Sequence, residues 1–205
     1  MRGFILNLKK HRDEDMIVSV LCSDRLLDLY RFYGARHSPL QLGYKIDFTV
    51  ERDMFFMPRL RGVSHLGYGW LFDLNAARAW QRFAQLLFKH LRGTGEIDDF
   101  YYLLLDRAAK KMEVQHPKRV IIEAAAELFD HEGRLHTQMR CLICEEAIAD
   151  ETIALKRAFF PAHTRCAYSE GFARKAVERL FETKESLLFS DLDIARLWRV
   201  IEEGL

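Results

Sequence analysis

The chain has 205 residues, of which 49% are hydrophobic and 30% charged, and its formal net charge at pH 7 is +1. This hydrophobic fraction can build a substantial core and excludes a globally disordered chain, while the near-balance of charge excludes a histone-like polycation. No apolar run approaches the roughly 20 residues that a membrane-spanning helix needs. The apolar stretch at residues 4–8 is also too short for a signal peptide. We therefore expect a cytoplasmic protein that is not associated with a membrane.

The first third of the sequence predicts five β-strands. They are short runs rich in Val, Ile, Phe, Tyr and Leu, separated by charged or turn-like segments. The predicted strands are residues 4–8, 16–22, 26–33, 45–50 and about 54–62. Five short strands at this spacing suit a small closed barrel, for which the OB-fold is the commonest five-stranded solution. The pattern alone does not distinguish an OB-fold from an SH3-like barrel.

The middle of the chain predicts three helices with apolar stripes at helical spacing. The first spans about 76–92 with Asn75 as its N-cap, the second about 97–112, and the third runs from Pro117 to just before Gly133. The short connections between them favour a compact bundle.

The last third begins with a Cys/His segment and returns to helix. Ser169 is predicted to cap a helix that reaches about Glu182. The run Ser190-Asp191-Leu192-Asp193 is a variant of the capping box, with Asp where Glu or Gln is usual, and it predicts a final helix.

Four residues of the last third have the spacing of two metal-binding knuckles. Cys141 and Cys144 form one pair, and His163 and Cys166 form the other after eighteen intervening residues. Three thiolates and one imidazole are a tetrahedral, soft-ligand set suited to Zn²⁺. Because protein ligands fill all four positions, the predicted site is structural and has no place for an activated water. The alternative interpretation of these four residues is three buried thiols and a surface histidine. The fourth cysteine, Cys22, lies in an apolar run and is typical of a reduced cysteine in a protein core.

The segment from Tyr30 to His37 interleaves aromatic and basic residues beside a small-residue turn. Aromatic rings can stack on bases while guanidinium groups meet phosphates, so the segment predicts contact with single-stranded nucleic acid. The alternative is a β-strand with inward aromatic residues and solvated arginines. The predicted DNA-binding residues are Arg31, Tyr33, Arg36, His37, Lys45, Arg59 and Arg61.

The acidic run Asp13-Glu14-Asp15 raises the possibility of a metal-dependent nuclease. No second carboxylate cluster with recognisable spacing completes a two-metal site. The sequence also has no GxSxG, Walker A or GxGxxG motif. We therefore expect a binding protein with no catalytic residues rather than an enzyme.

Taken in order, these segments resemble the RecO family of bacterial recombination and repair mediators, in the short form of epsilon-class bacteria. The resemblance spans the chain and lies in six segments. They are Arg12–Asp15 leading into Met16–Leu21, then Phe32–His37, Trp80–Phe83 with Leu86–Phe88, and Phe129–Leu135 before the first knuckle. Their order together with the knuckle is more specific than any one segment.

The resemblance implies an α+β fold: an N-terminal five-stranded OB-like β-barrel followed by a helical domain with an inserted zinc-knuckle segment. The implied domains are an OB-fold-like DNA-binding domain at 1–70, a helical domain at 71–135, and a zinc-knuckle region at 136–205 whose C-terminal helices pack on the helical domain. Many zinc-bearing members have four cysteines, whereas His163 stands here in the third ligand position. The glycines common before the second knuckle are replaced by Phe159-Phe160-Pro161-Ala162.

The resemblance further implies binding of single- and double-stranded DNA, annealing of complementary strands, and partnership with RecR. It also implies that the protein binds the C-terminal tail of the single-stranded DNA-binding protein and helps hand DNA to RecA, in association with the nucleoid. The helical middle has more apolar surface than a small bundle must bury, which predicts a groove for that acidic-hydrophobic tail. The predicted groove residues are Trp80, Arg82, Phe83, Phe88, Lys89 and Arg92.

Two other classes of function stay open at this point. A zinc-ribbon regulator or assembly factor would use the barrel as a scaffold and would bind proteins without annealing DNA. A metal-dependent nuclease would show magnesium-stimulated cleavage of DNA.

Overall fold

The computed structural model describes residues 1–36 and 39–205 of the chain. They form two compact units, Met1–Val114 and Gln115–Leu205. The division into three domains, with boundaries after residues 70 and 135, stays a prediction.

The first unit begins with a closed five-stranded barrel in which the strand order is β1-β2-β3-β5-β4. The strands are β1 (Arg2–Lys10), β2 (Met16–Leu21), β3 (Leu26–Arg31), β4 (Lys45–Glu51) and β5 (Arg59–His65). The neighbouring strands pair antiparallel except for β3 and β5, which meet in parallel at Tyr30 and Arg59. This barrel, followed by helices, confirms the predicted α+β class with an N-terminal OB-like barrel.

Side chains that point alternately into and out of the barrel along each strand fill its interior. Val18 and Val20 of β2 and Leu29 of β3 are fully buried in one cluster with Ile5, Ile46, Phe48 and Leu60. In β1 the neighbouring Phe4 is also buried, but it lies outside this cluster and contacts Trp80 of the following helix. Both faces of β1 are therefore covered, which explains why residues 4–6 form an unbroken apolar run.

The fifth strand begins later than the sequence predicts. Strand β5 starts at Arg59, and residues 54–58 belong to the loop after β4. Proline has no N–H to donate to a sheet, and Met54–Met57 lack the alternation of a half-buried strand, so Pro58 marks the boundary. The predicted strand over 54–62 is wrong at its N-terminal end.

Two helices complete the first unit: α1 (Leu74–Leu91) and α2 (Phe100–Lys111). Helix α1 is capped by Asp73, whose carboxylate accepts from the N–H groups of residues 75 and 76, rather than by the predicted Asn75. Trp80 of α1 is buried and donates from Nε1 to the carbonyl of Gly43 at 2.8 Å. Gly43 has φ +82°, and a Cβ there would lie 2.6 Å from the Trp80 ring, so this approach requires glycine.

The second unit combines helices with a small sheet whose strand order is β7-β6-β8. Its elements are α3 (Pro117–His131), β6 (Thr152–Lys156), β7 (Phe160–Ala162), α4 (Thr164–Ala167), β8 (Phe172–Ala173), α5 (Arg174–Thr183) and α6 (Asp191–Glu202). The capping box at the start of α6 is confirmed, since Ser190 and Asp193 bond each other's backbone N–H. The prediction that Ser169 caps a helix is wrong, because β8 pairs with β6 first and α5 begins only at Arg174.

Within the described part of the chain, no helix combines the length and the apolarity needed to cross a membrane.

Candidate functional site

The first knuckle is a tight turn that follows α3. Cys141 is buried, its N–H donates to the carbonyl of Glu146, and its own carbonyl accepts from the N–H of Glu145. Glu145 takes the left-handed conformation, with φ +60°, which lets the chain reverse within a few residues. The N–H of Leu142 donates to the carbonyl of Pro161 at 2.9 Å, so the turn is tied to β7.

Strand β7 leads directly into the second knuckle. Its last residue precedes His163, which is the N-cap residue of the short helix α4, and Cys166 lies within that helix. One turn of helix therefore places His163 and Cys166 on the same side, because residues three apart are neighbours on a helix surface. Since β7 is bonded to the first knuckle, the two pairs of ligands meet.

The four predicted metal ligands come together, with one ligand atom from each lying within 4.8 Å of all the others. The Nδ1 atom of His163 is 3.4 Å from Sγ of Cys144 and 3.8 Å from Sγ of Cys166. In a tetrahedral site with bonds of about 2.1 Å to nitrogen and 2.3 Å to sulfur, these atoms would be about 3.6 Å apart. The donor set and its spacing therefore fit a metal ion, and the four side chains would hold it.

The backbone around Cys141 favours the thiolate that metal binding needs. Burial alone raises the pKa of this thiol, but the N–H groups of Cys144, His163 and Ile143 outweigh burial and lower the pKa to about 6. Burial and the neighbouring cysteines raise the pKa of Cys166. A metal site needs at least three His, Cys, Asp or Glu side chains close together. Among the residues that the structure describes, Cys141, Cys144, His163 and Cys166 meet this condition.

The segment before the second knuckle has an unusual backbone. Ala158 and Phe159 have φ values of +57° and +59°, in the left-handed region that favours glycine. Phe159 lies in the segment where the resemblance to the RecO family implies glycines, and both residues take this conformation without being glycine. Phe159 is buried against Phe129 of α3, and this packing holds the segment in place.

Tyr168 also has a left-handed backbone conformation, and its energetic cost can be measured by substitution. It ends α4 with φ +48° and is 95% exposed, so its ring contributes little packing. We expect Tyr168→Gly to raise stability by roughly 0.5–1 kcal/mol, because glycine adopts this conformation without a steric penalty. Thermal unfolding measures the change. Tyr168→Ala is the control: it removes the ring but keeps the strain, and an equal gain in that variant would contradict the explanation.

A second candidate site lies at one end of the barrel, where three segments converge on Tyr30 of β3. Its hydroxyl donates to Asp15 in the loop between β1 and β2, and its N–H donates to the carbonyl of Pro58 at 2.8 Å. The chain then leaves β3 through residues 32–36. The β1–β2 loop, the exit from β3 and the β4–β5 loop therefore lie together. In OB-folds, oligonucleotides bind to the face of strands 2 and 3 and to two loops, the one between strands 1 and 2 and the one between strands 4 and 5.

The acidic turn supports the β3 exit segment. Asp15 accepts from the N–H of Tyr33 at 2.8 Å, and Glu14 accepts from the N–H of Ala35 through its carbonyl and pairs with Arg36 through its carboxylate. The hydrogen bond from the Tyr30 hydroxyl and that from the Tyr33 N–H hold the pKa of Asp15 below its ordinary value. These carboxylates are thus engaged in shaping the loop.

The predicted DNA-binding arginines have different surroundings. Arg31 is partly buried, donates from Nη1 to the carbonyl of Leu60, and has no hydrogen-bond partner for its buried Nε. Burial and the nearby Arg61 lower its pKa. Arg59 lies 5.4 Å from the centre of the Phe32 ring, and both Arg59 and Arg61 pair with Glu51 across β4 and β5. Arg61 is about half exposed, and Arg36 more so.

One of the predicted DNA-binding residues, Lys45, is not part of this surface. The Lys45 side chain is only 12% exposed, pairs with Asp106 of α2, and lies 5.6 Å from the ring centres of Phe4 and Tyr102. It joins α2 to the barrel, which corrects its assignment as a phosphate contact. His37 lies outside the described residues.

The predicted groove for a partner's tail is not formed as expected. Trp80 and Phe83 are fully buried in the first unit, where Trp80 packs on Phe4 and Trp70, so they belong to the core. Phe88 and Arg92 line a cavity of about 230 Å³ together with Asp24, Arg25 and Asp28, so its charged lining carries both signs and does not select an acidic peptide. Lys89 is exposed and Arg82 half-buried on the same helix. Binding of a partner's tail stays a prediction.

The sequence analysis missed the exposed apolar run Met54–Met57 in the β4–β5 loop. It assigned them to a strand because they are hydrophobic. Two signals place them in a loop: the unbroken run of four apolar side chains and the proline that follows it.

Comparison with known families gives a match at the N-terminus of the chain. Residues 1–71, which include the whole barrel, match the family model described as RecO N terminal. No curated protein matches the chain. The matched family indicates a role in DNA recombination or repair. The N-terminal barrel of this chain is therefore similar to the RecO N-terminal domain.

Proposed function

We propose that the protein is a DNA repair and recombination mediator. It binds single- and double-stranded DNA, promotes annealing of complementary strands, and helps load RecA onto DNA that is coated by single-stranded DNA-binding protein. The observation that carries the proposal is the match of the barrel to the RecO N-terminal domain. We further propose that it acts in the cytoplasm, with the nucleoid, as a binding protein rather than an enzyme.

The barrel end described above supports the DNA-binding part of the proposal. It combines exposed arginines with exposed aromatic rings, which is the combination that single-stranded nucleic acid requires. Arg36, Arg59 and Arg61 are each held by a carboxylate near the surface. Such exposed ion pairs contribute at most about 1 kcal/mol, so a phosphate can replace the carboxylate at little cost.

The metal site supports a structural role in the second unit. We propose that it binds one Zn²⁺, since three sulfurs and one imidazole nitrogen are the donors that zinc favours. The ion would join the turn after α3 to β7 and α4, and it would supply no activated water because protein ligands fill its coordination sphere.

The proposed partners besides DNA are RecR and the C-terminal tail of the single-stranded DNA-binding protein. Support for them comes from the family alone, because the groove predicted on α1 is partly core. We propose no docking site for either partner.

Strand annealing tests the proposed function directly. We expect the protein to accelerate pairing of complementary oligonucleotides, and to do so on strands coated by single-stranded DNA-binding protein only when the coat protein keeps its C-terminal tail. A fluorescence-quenching assay with the two strands labelled measures the rate. A coat protein without its tail is the control. If the protein binds neither strand and leaves the annealing rate unchanged, a regulatory or assembly factor becomes the better explanation.

A further inference from the structure

The β4–β5 loop exposes a contiguous apolar surface. Met54, Phe55, Phe56 and Met57 are 93%, 85%, 65% and 42% exposed. Isolated exposed hydrophobic residues are normal, but four in succession at a loop tip are a patch of the kind that marks an interaction site. Two large apolar residues of the β3 exit segment, Phe32 and Tyr33, are also exposed.

Backbone contacts hold this loop beside the β3 exit segment. At its C-terminal end the Pro58 carbonyl accepts from Tyr30, and Arg59 pairs with Tyr30 in the parallel bridge that closes the barrel. At its tip the N–H of Phe55 donates to the carboxylate of Asp53 at 2.9 Å, which forms a turn. The C-terminal end of the loop is therefore fixed to strand β3 of the barrel, and its tip is shaped by its own turn.

The charge around the loop indicates an anionic occupant. The basic residues at the two ends of the loop are Arg52, Arg59 and Arg61. They outnumber the local carboxylates Glu51 and Asp53, and the Arg59 guanidinium lies over the Phe32 ring. On the neighbouring β1–β2 loop, Glu14 and Asp15 are already engaged with Arg36 and with Tyr30 and Tyr33.

We propose that Phe55 and Phe56 stack on unpaired bases, so that the β4–β5 loop gives the barrel a preference for single-stranded over duplex DNA. The inference rests on the proposed function, because it specifies which form of DNA this surface prefers. Unpaired bases present flat faces to aromatic rings, whereas in a duplex these faces are covered by neighbouring base pairs. The arginines around the loop contact phosphates in either form.

The alternative occupant is an apolar pocket on a partner protein. Such a pocket would accept any apolar side chain of similar size, whereas stacking on bases requires the π face of an aromatic ring. Substituting leucine for phenylalanine keeps the loop apolar and removes the ring, so it separates the two occupants.

The experiment compares the wild-type protein with Phe55→Leu/Phe56→Leu and with the matched control Met54→Leu/Met57→Leu. The probes are a labelled oligothymidylate of about 30 nucleotides, an abasic strand of the same length, and a duplex of the same length. Fluorescence anisotropy gives the dissociation constants. We expect the phenylalanine variant to bind oligothymidylate at least about tenfold more weakly, while its affinities for the abasic strand and the duplex change by less than about twofold. The methionine variant should bind all three as the wild type does.

Several outcomes overturn the inference. One is wild-type affinity of the phenylalanine variant for oligothymidylate, which a protein-docking loop would give; another is an equal loss on the abasic strand. If the variant does not fold, the wild-type protein alone still decides, since stacking requires it to bind oligothymidylate at least about tenfold more tightly than the abasic strand. Wild-type protein that binds none of the three probes contradicts the proposed function as well, whereas binding without dependence on the bases contradicts only this inference.

Discussion

Replacing Cys144 by serine is expected to release the metal ion and to destabilise the second unit by at least about 4 kcal/mol, although the side chain is exposed. An exposed cysteine without a ligand role normally tolerates serine within about 0.5 kcal/mol. The large effect follows because the ligands meet only in the folded state, so the free energy of metal binding is also free energy of folding. Elemental analysis should find about one zinc per wild-type chain and none in the variant. Urea unfolding measures the loss of stability.

Cys22→Ala is the matched control for this prediction. Cys22 is a buried thiol of the barrel, where burial raises its pKa to about 11, and it lies outside the metal cluster. We expect this variant to lose about 1 kcal/mol from packing and to keep its metal. A metal-free wild-type preparation with an unchanged unfolding curve would show that the four side chains do not form a structural site.

The metal cluster could be predicted from sequence because its geometry is largely local. Two residues between ligands turn both side chains of a pair toward one point, and only the meeting of the two pairs depends on tertiary structure. The hydrogen bond between Leu142 and Pro161 supplies that meeting. The five-stranded OB-like barrel was likewise implied by the resemblance to a family whose N-terminal model matches residues 1–71.

The charged residues of the barrel could not be assigned in the same way. Lys45 and Arg61 both lie on strands and both are basic, yet Lys45 pairs with Asp106 of α2 while Arg61 pairs with Glu51 at the surface. No local pattern separates them, because the partner of Lys45 is 61 residues away along the chain. Trp80 presents the same difficulty. The apolar stripe of its helix predicts that Trp80 is buried, but it does not predict that Trp80 contacts Gly43.

The burial and the ion pairs of the arginines decide which of them can be substituted in a test of DNA binding. Charge reversal of Arg31 would place a carboxylate beside the carbonyl of Leu60 in a partly buried site, so it would disturb the barrel as well as any DNA contact. Arg36 and Arg61 are more exposed, and each pairs with one carboxylate. Their replacement by glutamine therefore changes the charge with little cost in stability.

Arg36→Gln/Arg61→Gln is expected to weaken binding of single-stranded DNA by about 25-fold in roughly 0.1 M salt. Each phosphate contact on a single strand releases about 0.7 counterion, so the loss of two contacts should also reduce the slope of log K against log salt by about 1.4. Anisotropy titrations over a range of salt concentrations measure both quantities. The control is Arg25→Gln/Arg92→Gln, which has the same net charge but removes exposed arginines at the β2–β3 turn and after α1. Because strand β2 separates that turn from the β1–β2 loop, the control should keep the wild-type slope. An equal loss in both variants would mean that net charge, rather than this end of the barrel, governs DNA binding.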